Sequence, residues 1–131
     1  MDRAPSGEQY GIALGDQWAT IVEVGGGVRE YTDAGRPVLD PYDVASMCDG
    51  AHGTPLIPWP NRLDGGRYTW AGHDYQVALT EPAKNNAIHG FLRWRPWTAQ
   101  RHEADRVVMA TTVFPCGGYP FLLDVAVDYQ L

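Results

Sequence analysis

The chain has 131 residues, enough to close a hydrophobic core, and 44% of them are apolar, with five Trp and seven Tyr. That composition excludes an intrinsically disordered polymer. The net charge is −6 and Lys84 is the sole lysine, so an acidic chain without a basic cluster is not built to hold nucleic acid.

The opening stretch, MDRAPSGEQYGIALG, lacks the cationic segment and apolar core of a signal peptide. The longest apolar runs fall well short of a bilayer span, so no membrane partner is expected. Cys48 and Cys116 are too few for a disulfide framework, which points to a reducing, cytoplasmic setting.

The predicted elements follow in chain order. Tyr10, Ile12 and Leu14 alternate as in a half-buried strand. After a turn at Gly15-Asp16, Trp18, Thr20, Val22 and Val24 do the same, up to the glycine triplet 25 to 27. Residues 28 to 39 carry a weaker extended signal around Gly35-Arg36-Pro37. The segment 41 to 48 reads as one short helical turn beginning at Asp40 or Pro41. Residues 53 to 66 read as loop, because Pro55, Pro58 and Pro60 cannot donate to a central ladder and hold the backbone extended. A hairpin follows, Tyr68 and Trp70 facing Tyr75, Val77 and Leu79 across a turn at Ala71-Gly72. The polar loop EPAKNNA leads into Ile88-His89-Gly90. Two longer strands, 106 to 114 and 121 to 131, are joined by Pro115-Cys116-Gly117-Gly118.

Turn signals roughly every ten residues, with no helical period, predict an antiparallel all-β sandwich, with residues 1–131 forming part of a single, incomplete domain. In the last strand Leu123, Val125, Val127, Tyr129 and Leu131 alternate with Asp124, Ala126, Asp128 and Gln130 up to the final residue. The expectation is a chain cut inside a sheet, with an exposed C-terminal strand able to self-associate.

Candidate chemistry gathers in two loops. Arg62, in the proline-stiffened segment, offers a planar fork of donors for an oxygen-rich ligand, or pairs at the surface with Asp64. Asn61 either binds ligand or shapes the turn. His89, between Ile88 and Gly90, is placed to act as acid, base or hydrogen-bond donor, or else is a buried imidazole satisfied by a carbonyl. Trp59, Trp94 and Trp97 are candidates for stacking on a sugar face, whereas Trp18 and Trp70 read as core. Cys48 and His52 are four apart, but no second close ligand pair follows, so no metal site is read. The glycine triplet is not followed by the Lys-Ser/Thr of a phosphate loop, and no Gly-x-Ser-x-Gly elbow occurs.

The segment PWPNRLDGGRYTWAGHDYQVALTEPAKNNAIHGFLRW resembles the aldose 1-epimerases, or galactose mutarotases. The resemblance rests on Asn61-Arg62, Gly66, Tyr68, Gly72, Asn86 and His89-Gly90, is strong from about 53 to 97, and fits the bacterial branch acting on free sugars. It implies the N-terminal portion of a galactose mutarotase-like β-sandwich. The implied reaction interconverts the α and β anomers of a free aldohexose by opening and reclosing the ring. It further implies that His89 is catalytic and that Arg62, Asn61, Asn86 and Trp59 bind substrate, with Arg62 and His89 polarising the ring oxygen. The ligand would be a small hexose, with neither metal nor cofactor required. Ring opening needs an acid at the ring oxygen and a base at the anomeric hydroxyl. The family's second His, in a His-Pro-Tyr-like motif, its late Glu and its hydroxyl-binding Asp have no counterpart here, and a fragment inactive by itself is expected. Other readings are a non-catalytic carbohydrate-binding member of the superfamily, and a structural β-sandwich fragment.

Overall fold

The computed structural model describes residues 3–131, so the first two positions of the N-terminal stretch read above lie outside it. The chain forms two compact units. The first comprises the residues up to Pro55 with Arg93–Thr111 and Val125–Leu131; the second comprises Leu56–Leu92 and Thr112–Asp124.

In the first unit, β1 (Gln9–Leu14), β2 (Gln17–Val22), β3 (Val28–Asp33) and the two-residue β4 (Arg36–Pro37) form an antiparallel sheet in that order. The two-residue turn at Gly15-Asp16 sets the β1–β2 register, which pairs Leu14 with Gln17 and Ile12 with Ala19. One face therefore buries Ile12, Ala19 and Ile21. The other face of β2 is covered at Thr20, whose hydroxyl donates to Glu30 at 2.8 Å. Trp18, the second residue of β2 beside the turn, is 44% exposed, against the core position expected for it.

A second sheet has the order β11-β10-β9, with β9 at Thr98–His102, β10 at Arg106–Val113 and β11 at Leu123–Gln130. The portions of these strands in the first unit bury Val107 and Met109, and Trp97, just ahead of β9, is buried as well. A small cavity of about 130 Å³ is lined by Ile12, Ile21 and Val28 from one sheet and by Tyr129 from the other, so the two inner faces oppose each other as in a sandwich. The Tyr129 hydroxyl donates to the Gly26 carbonyl at 2.8 Å, and burial pushes its phenol up to about 12.

The second unit holds two short ladders, β5 (Arg62–Asp64) with β8 (Asn86–Ile88) and β6 (Arg67–Trp70) with β7 (His73–Gln76). The β6–β7 turn places Ala71 at φ +49° and Gly72 at φ +78°, the left-handed pair that suits a two-residue hairpin. Beneath the ladders, Val77, Ala87, Leu92 and Val113 are buried. An aromatic chain runs Trp59–Phe91–Tyr119–Phe121–Tyr75–Tyr68, with successive centroids 4.9 to 6.1 Å apart. Such edge-on and offset contacts add to area burial.

The observed elements correct the expected ones in four places. The segment 41 to 48 contains a turn rather than a helical start, because the Asp43 carboxylate accepts from the Ala45 N–H and its carbonyl from the Ser46 N–H. The predicted loop 53 to 66 includes β5, beyond the last of its prolines. The polar loop EPAKNNA holds a 3-10 turn, Pro82–Lys84, and the start of β8. Finally, β9 had no expected counterpart, its alternation being masked by Gln100 and Arg101. No helix among the described residues is long and apolar enough to cross a membrane.

Candidate functional site

The site is built on the β5–β8 ladder of the second unit. Its register pairs Arg62 with Ile88, Leu63 with Ala87 and Asp64 with Asn86. Residues directly opposite share a face and successive residues alternate, so Arg62 and Asn86 project to one side while Leu63 and Ala87 point inward.

Asn61 and His89 sit together at one end of this ladder, both in the left-handed region at φ +61°. That conformation is uncommon outside glycine, though Asn and His adopt it more readily than most. They hold each other through two reciprocal bonds. The His89 N–H donates to the Asn61 carbonyl at 2.9 Å, and the Asn61 N–H donates to His89 Nδ1 at 2.9 Å. Because Nδ1 accepts, the neutral ring carries its proton on Nε2. Gly90 follows at φ +69°, and a Cβ there would run into the Ile57 carbonyl, which accepts the Phe91 N–H at 2.9 Å. The His-Gly pair is thus a local necessity: the imidazole is presented where the backbone has no room for a second side chain.

Arg62 is held by Glu81, not by Asp64. Its Nε donates to Oε1 at 2.7 Å and its Nη2 to Oε2 at 3.1 Å, a bidentate geometry, while Nη1 reaches Asn61 Oδ1 at 3.3 Å. The Arg62 guanidinium holds the Glu81 carboxyl down to about 2, against an opposing push from burial. Asn86 Nδ2 donates to the same carboxylate at 3.4 Å. Glu81 and Asn86 also exchange backbone bonds, Glu81 N–H to the Asn86 carbonyl at 2.9 Å and Asn86 N–H to the Glu81 carbonyl at 3.2 Å. The 3-10 turn between them closes with Asn85 left-handed at φ +56°. Nearby, the Ile88 N–H donates to Thr80 Oγ1 at 2.8 Å.

Of the residues singled out in the sequence, Asn61, Arg62, Asn86 and His89 therefore join one hydrogen-bonded network. Trp59 is not part of it. It lines an apolar groove of about 750 Å³ with Pro58, Leu63, Tyr68 and Tyr119, and its buried indole Nε1 has no hydrogen-bond partner among the described residues. Trp70 also borders this groove and is 62% exposed, contrary to the core role expected of it. In the first unit, Trp94 is exposed with the Arg93 guanidinium 4.3 Å from its ring centroid, and Trp97 is core. Cys48 Sγ contacts the His52 carbonyl at 3.3 Å and Thr54 Oγ1 at 3.5 Å, and no metal-binding cluster of His, Cys, Asp or Glu occurs among the described residues. Glu81 is the member that sequence reasoning missed. Its one signal was an acid in a polar loop five positions before Asn86.

The sequence profile of aldose 1-epimerases matches residues 13–131. The chain belongs to the aldose 1-epimerase family. Among the relatives of this family member, the uncharacterised YihR of Escherichia coli K12 is 40% identical over 126 residues, covering 96% of this chain and 41% of YihR. A putative aldose 1-epimerase structure from Escherichia coli K12 superposes with a TM-score of 0.80 at 21% identity, covering 95% of this chain and 42% of that one. A GalM/aldose epimerase homologue from C. elegans gives 0.81 at 17% identity, with the same coverage of each chain. The fold is accordingly the galactose mutarotase-like antiparallel β-sandwich, and the chain spans about two fifths of the length of these aldose 1-epimerase relatives.

Proposed function

We propose that residues 1–131 form the N-terminal part of one galactose mutarotase-like domain. In this reading the chain supplies the ring-oxygen side of a site that interconverts the α and β anomers of free aldohexoses. The observation that carries it is the network joining Asn61, Arg62, Asn86 and His89 in a chain of this family. Arg62 and Asn61 bind sugar hydroxyls, and His89 presents Nε2–H toward the ring oxygen. The hydrogen bond from the neutral imidazole polarises that oxygen; its protonation by a separate acid weakens the bond to the anomeric carbon, while loss of the anomeric hydroxyl proton to a base completes the aldehyde. Rotation of the open aldehyde and closure on its other face give the second anomer. Trp59 supplies apolar surface for the C–H face of the ring.

The base must come from a group other than Glu81. With its carboxyl held at about 2 and both oxygens paired to Arg62, Glu81 is too weak an acceptor to draw a proton from the anomeric hydroxyl. The isolated chain therefore binds sugar but turns it over slowly or not at all. A cytoplasmic setting belongs to the same proposal, supported by the two free thiols at Cys48 and Cys116.

Polarimetry on freshly dissolved α-galactose or α-glucose tests this. In a polypeptide that carries this segment and catalyses mutarotation, His89→Ala lowers kcat about 10²–10⁴-fold, as loss of an acid–base or polarising group does. Near-wild-type mutarotation by that variant would sink the assignment. So would ordinary enzymatic rates from the 131-residue chain.

A further inference from the structure

The network contains one residue that neither the motif nor the proposed chemistry uses. Glu81 is more sheltered than its partner, its side chain 22% exposed against 42% for Arg62. Its backbone is fixed by the two-way pairing with Asn86, and its carboxylate by Asn86 Nδ2. The acid is therefore ordered before it meets the arginine. It engages the Nε–Nη2 side of the guanidinium through both oxygens, while Asn61 Oδ1 takes Nη1. A planar fork gripped along one side and at a third nitrogen cannot rotate freely, so its outer Nη1–Nη2 edge has one orientation.

From this geometry we infer that Glu81 is a positioning residue of the sugar site, ordering the Arg62 guanidinium so that its outer edge meets the sugar without prior rearrangement. The inference rests on the functional reading above, in which Arg62 binds the sugar. An unpaired arginine on a strand surface samples many rotamers and loses that freedom on binding; a pre-ordered one has already lost it. The carboxylate is also the atom set through which Asn86 acts, since Asn86 reaches Arg62 by way of Glu81. Continuity does the rest: Arg62 grips Asn61, and the Asn61 backbone grips His89. Held near 2, the Glu81 carboxyl stays ionised throughout the neutral range, so the hold does not relax there.

The test uses the 131-residue chain, with side-chain ¹⁵N NMR of the Arg62 Nε–H for its exchange and galactose affinity read from sugar-induced shifts of the backbone amides of Asn61 and His89. In the wild type the Nε–H exchanges slowly with water. Glu81→Gln brings its exchange to that of an exposed arginine and weakens galactose about five- to tenfold, the loss expected of a charged hydrogen-bond partner near the surface. Glu81→Asp, which keeps the charge on a shorter arm, recovers part of both. Glu103→Gln breaks the comparable Arg101–Glu103 pair, 2.7 Å in length, and moves neither readout. Thermal unfolding of each variant separates loss of positioning from loss of fold.

An Arg62 Nε–H signal unchanged by Glu81→Gln overturns the inference, whatever the sugar data. It is also overturned if Arg62→Ala abolishes galactose binding while Glu81→Gln leaves the affinity intact. A wild-type chain that gives no sugar-induced shift overturns the functional reading and this inference with it. The wild-type measurement thus tells the two failures apart.

Discussion

At the scale of single residues, the backbone decides what the side chains can do. Asn61 and His89 both sit at φ +61°, and each such residue stores on the order of 1 kcal/mol or more that its surroundings must offset. Their reciprocal hydrogen bonds supply that offset and orient the imidazole together. Gly90 is a stricter case. Gly72 and Gly90 have similar angles, φ +78° and +69°, but a Cβ at Gly72 meets open space and one at Gly90 meets the Ile57 carbonyl. Gly72→Ala should cost about 1–2 kcal/mol, from left-handed backbone alone. Gly90→Ala should cost roughly 3 kcal/mol or more, because backbone must also move. Chemical denaturation of the two variants checks the difference, and equal costs would show that the Ile57 approach is slack. The sequence marked His89-Gly90 as a unit. It did not disclose that Trp18 and Trp70 are exposed, because an indole in an alternating strand fits either face equally well.

At the scale of elements, three-residue strands matter more than long ones here. The β5–β8 ladder is too short to announce itself by alternation, yet it sets Arg62 and Asn86 on one side, and Asn61 and His89 clasp each other at its end. Arg62 and His89 lie on either side of the β6–β7 hairpin in the chain, and the strands that flank that hairpin pair with each other, which makes the two residues neighbours. Glu81 contributes to this ladder in a pH-dependent way. Its carboxyl is depressed from the ordinary value of 4.5 to about 2, chiefly by the hydrogen bond from Arg62. A depressed acid stabilises the folded state fully above the unfolded value and loses that contribution as pH falls toward the folded one. The melting temperatures of wild type and Glu81→Gln should therefore differ by a constant amount above pH 4.5 and converge as pH approaches 2. A gap that persisted at the acid end would mean that charge is not what Glu81 contributes.

At the scale of the whole molecule, apolar surface remains uncovered. Phe114, Leu122 and Trp70 are 70%, 59% and 62% exposed, and β11 is an edge strand of its sheet. A strand edge offers unpaired N–H and C=O groups, and exposed rings offer area, so copies of the chain should associate through them. The apparent mass by light scattering, with reductant present to keep Cys116 from bridging, should rise with protein concentration. A mass that stays monomeric across the accessible range would count against association through β11.

Local sequence was sufficient wherever the deciding interaction lies within a few residues. The two-residue turns at Gly15-Asp16 and Ala71-Gly72, the alternation of β1, β10 and β11, and the Asn-Arg and His-Gly signatures are all of this kind, and together they yielded the all-β class and the family. Tertiary structure alone decided the contacts between residues far apart in the chain. It chose Glu81 over Asp64 for Arg62, although Asp64 is two positions away and Glu81 nineteen. It clasped Asn61 to His89 across 28 positions and sent Trp59 to the groove instead of the network. The physical reason is that proximity in sequence sets which side of a strand a residue faces, whereas hydrogen-bond partners are set by which strand folds back alongside it.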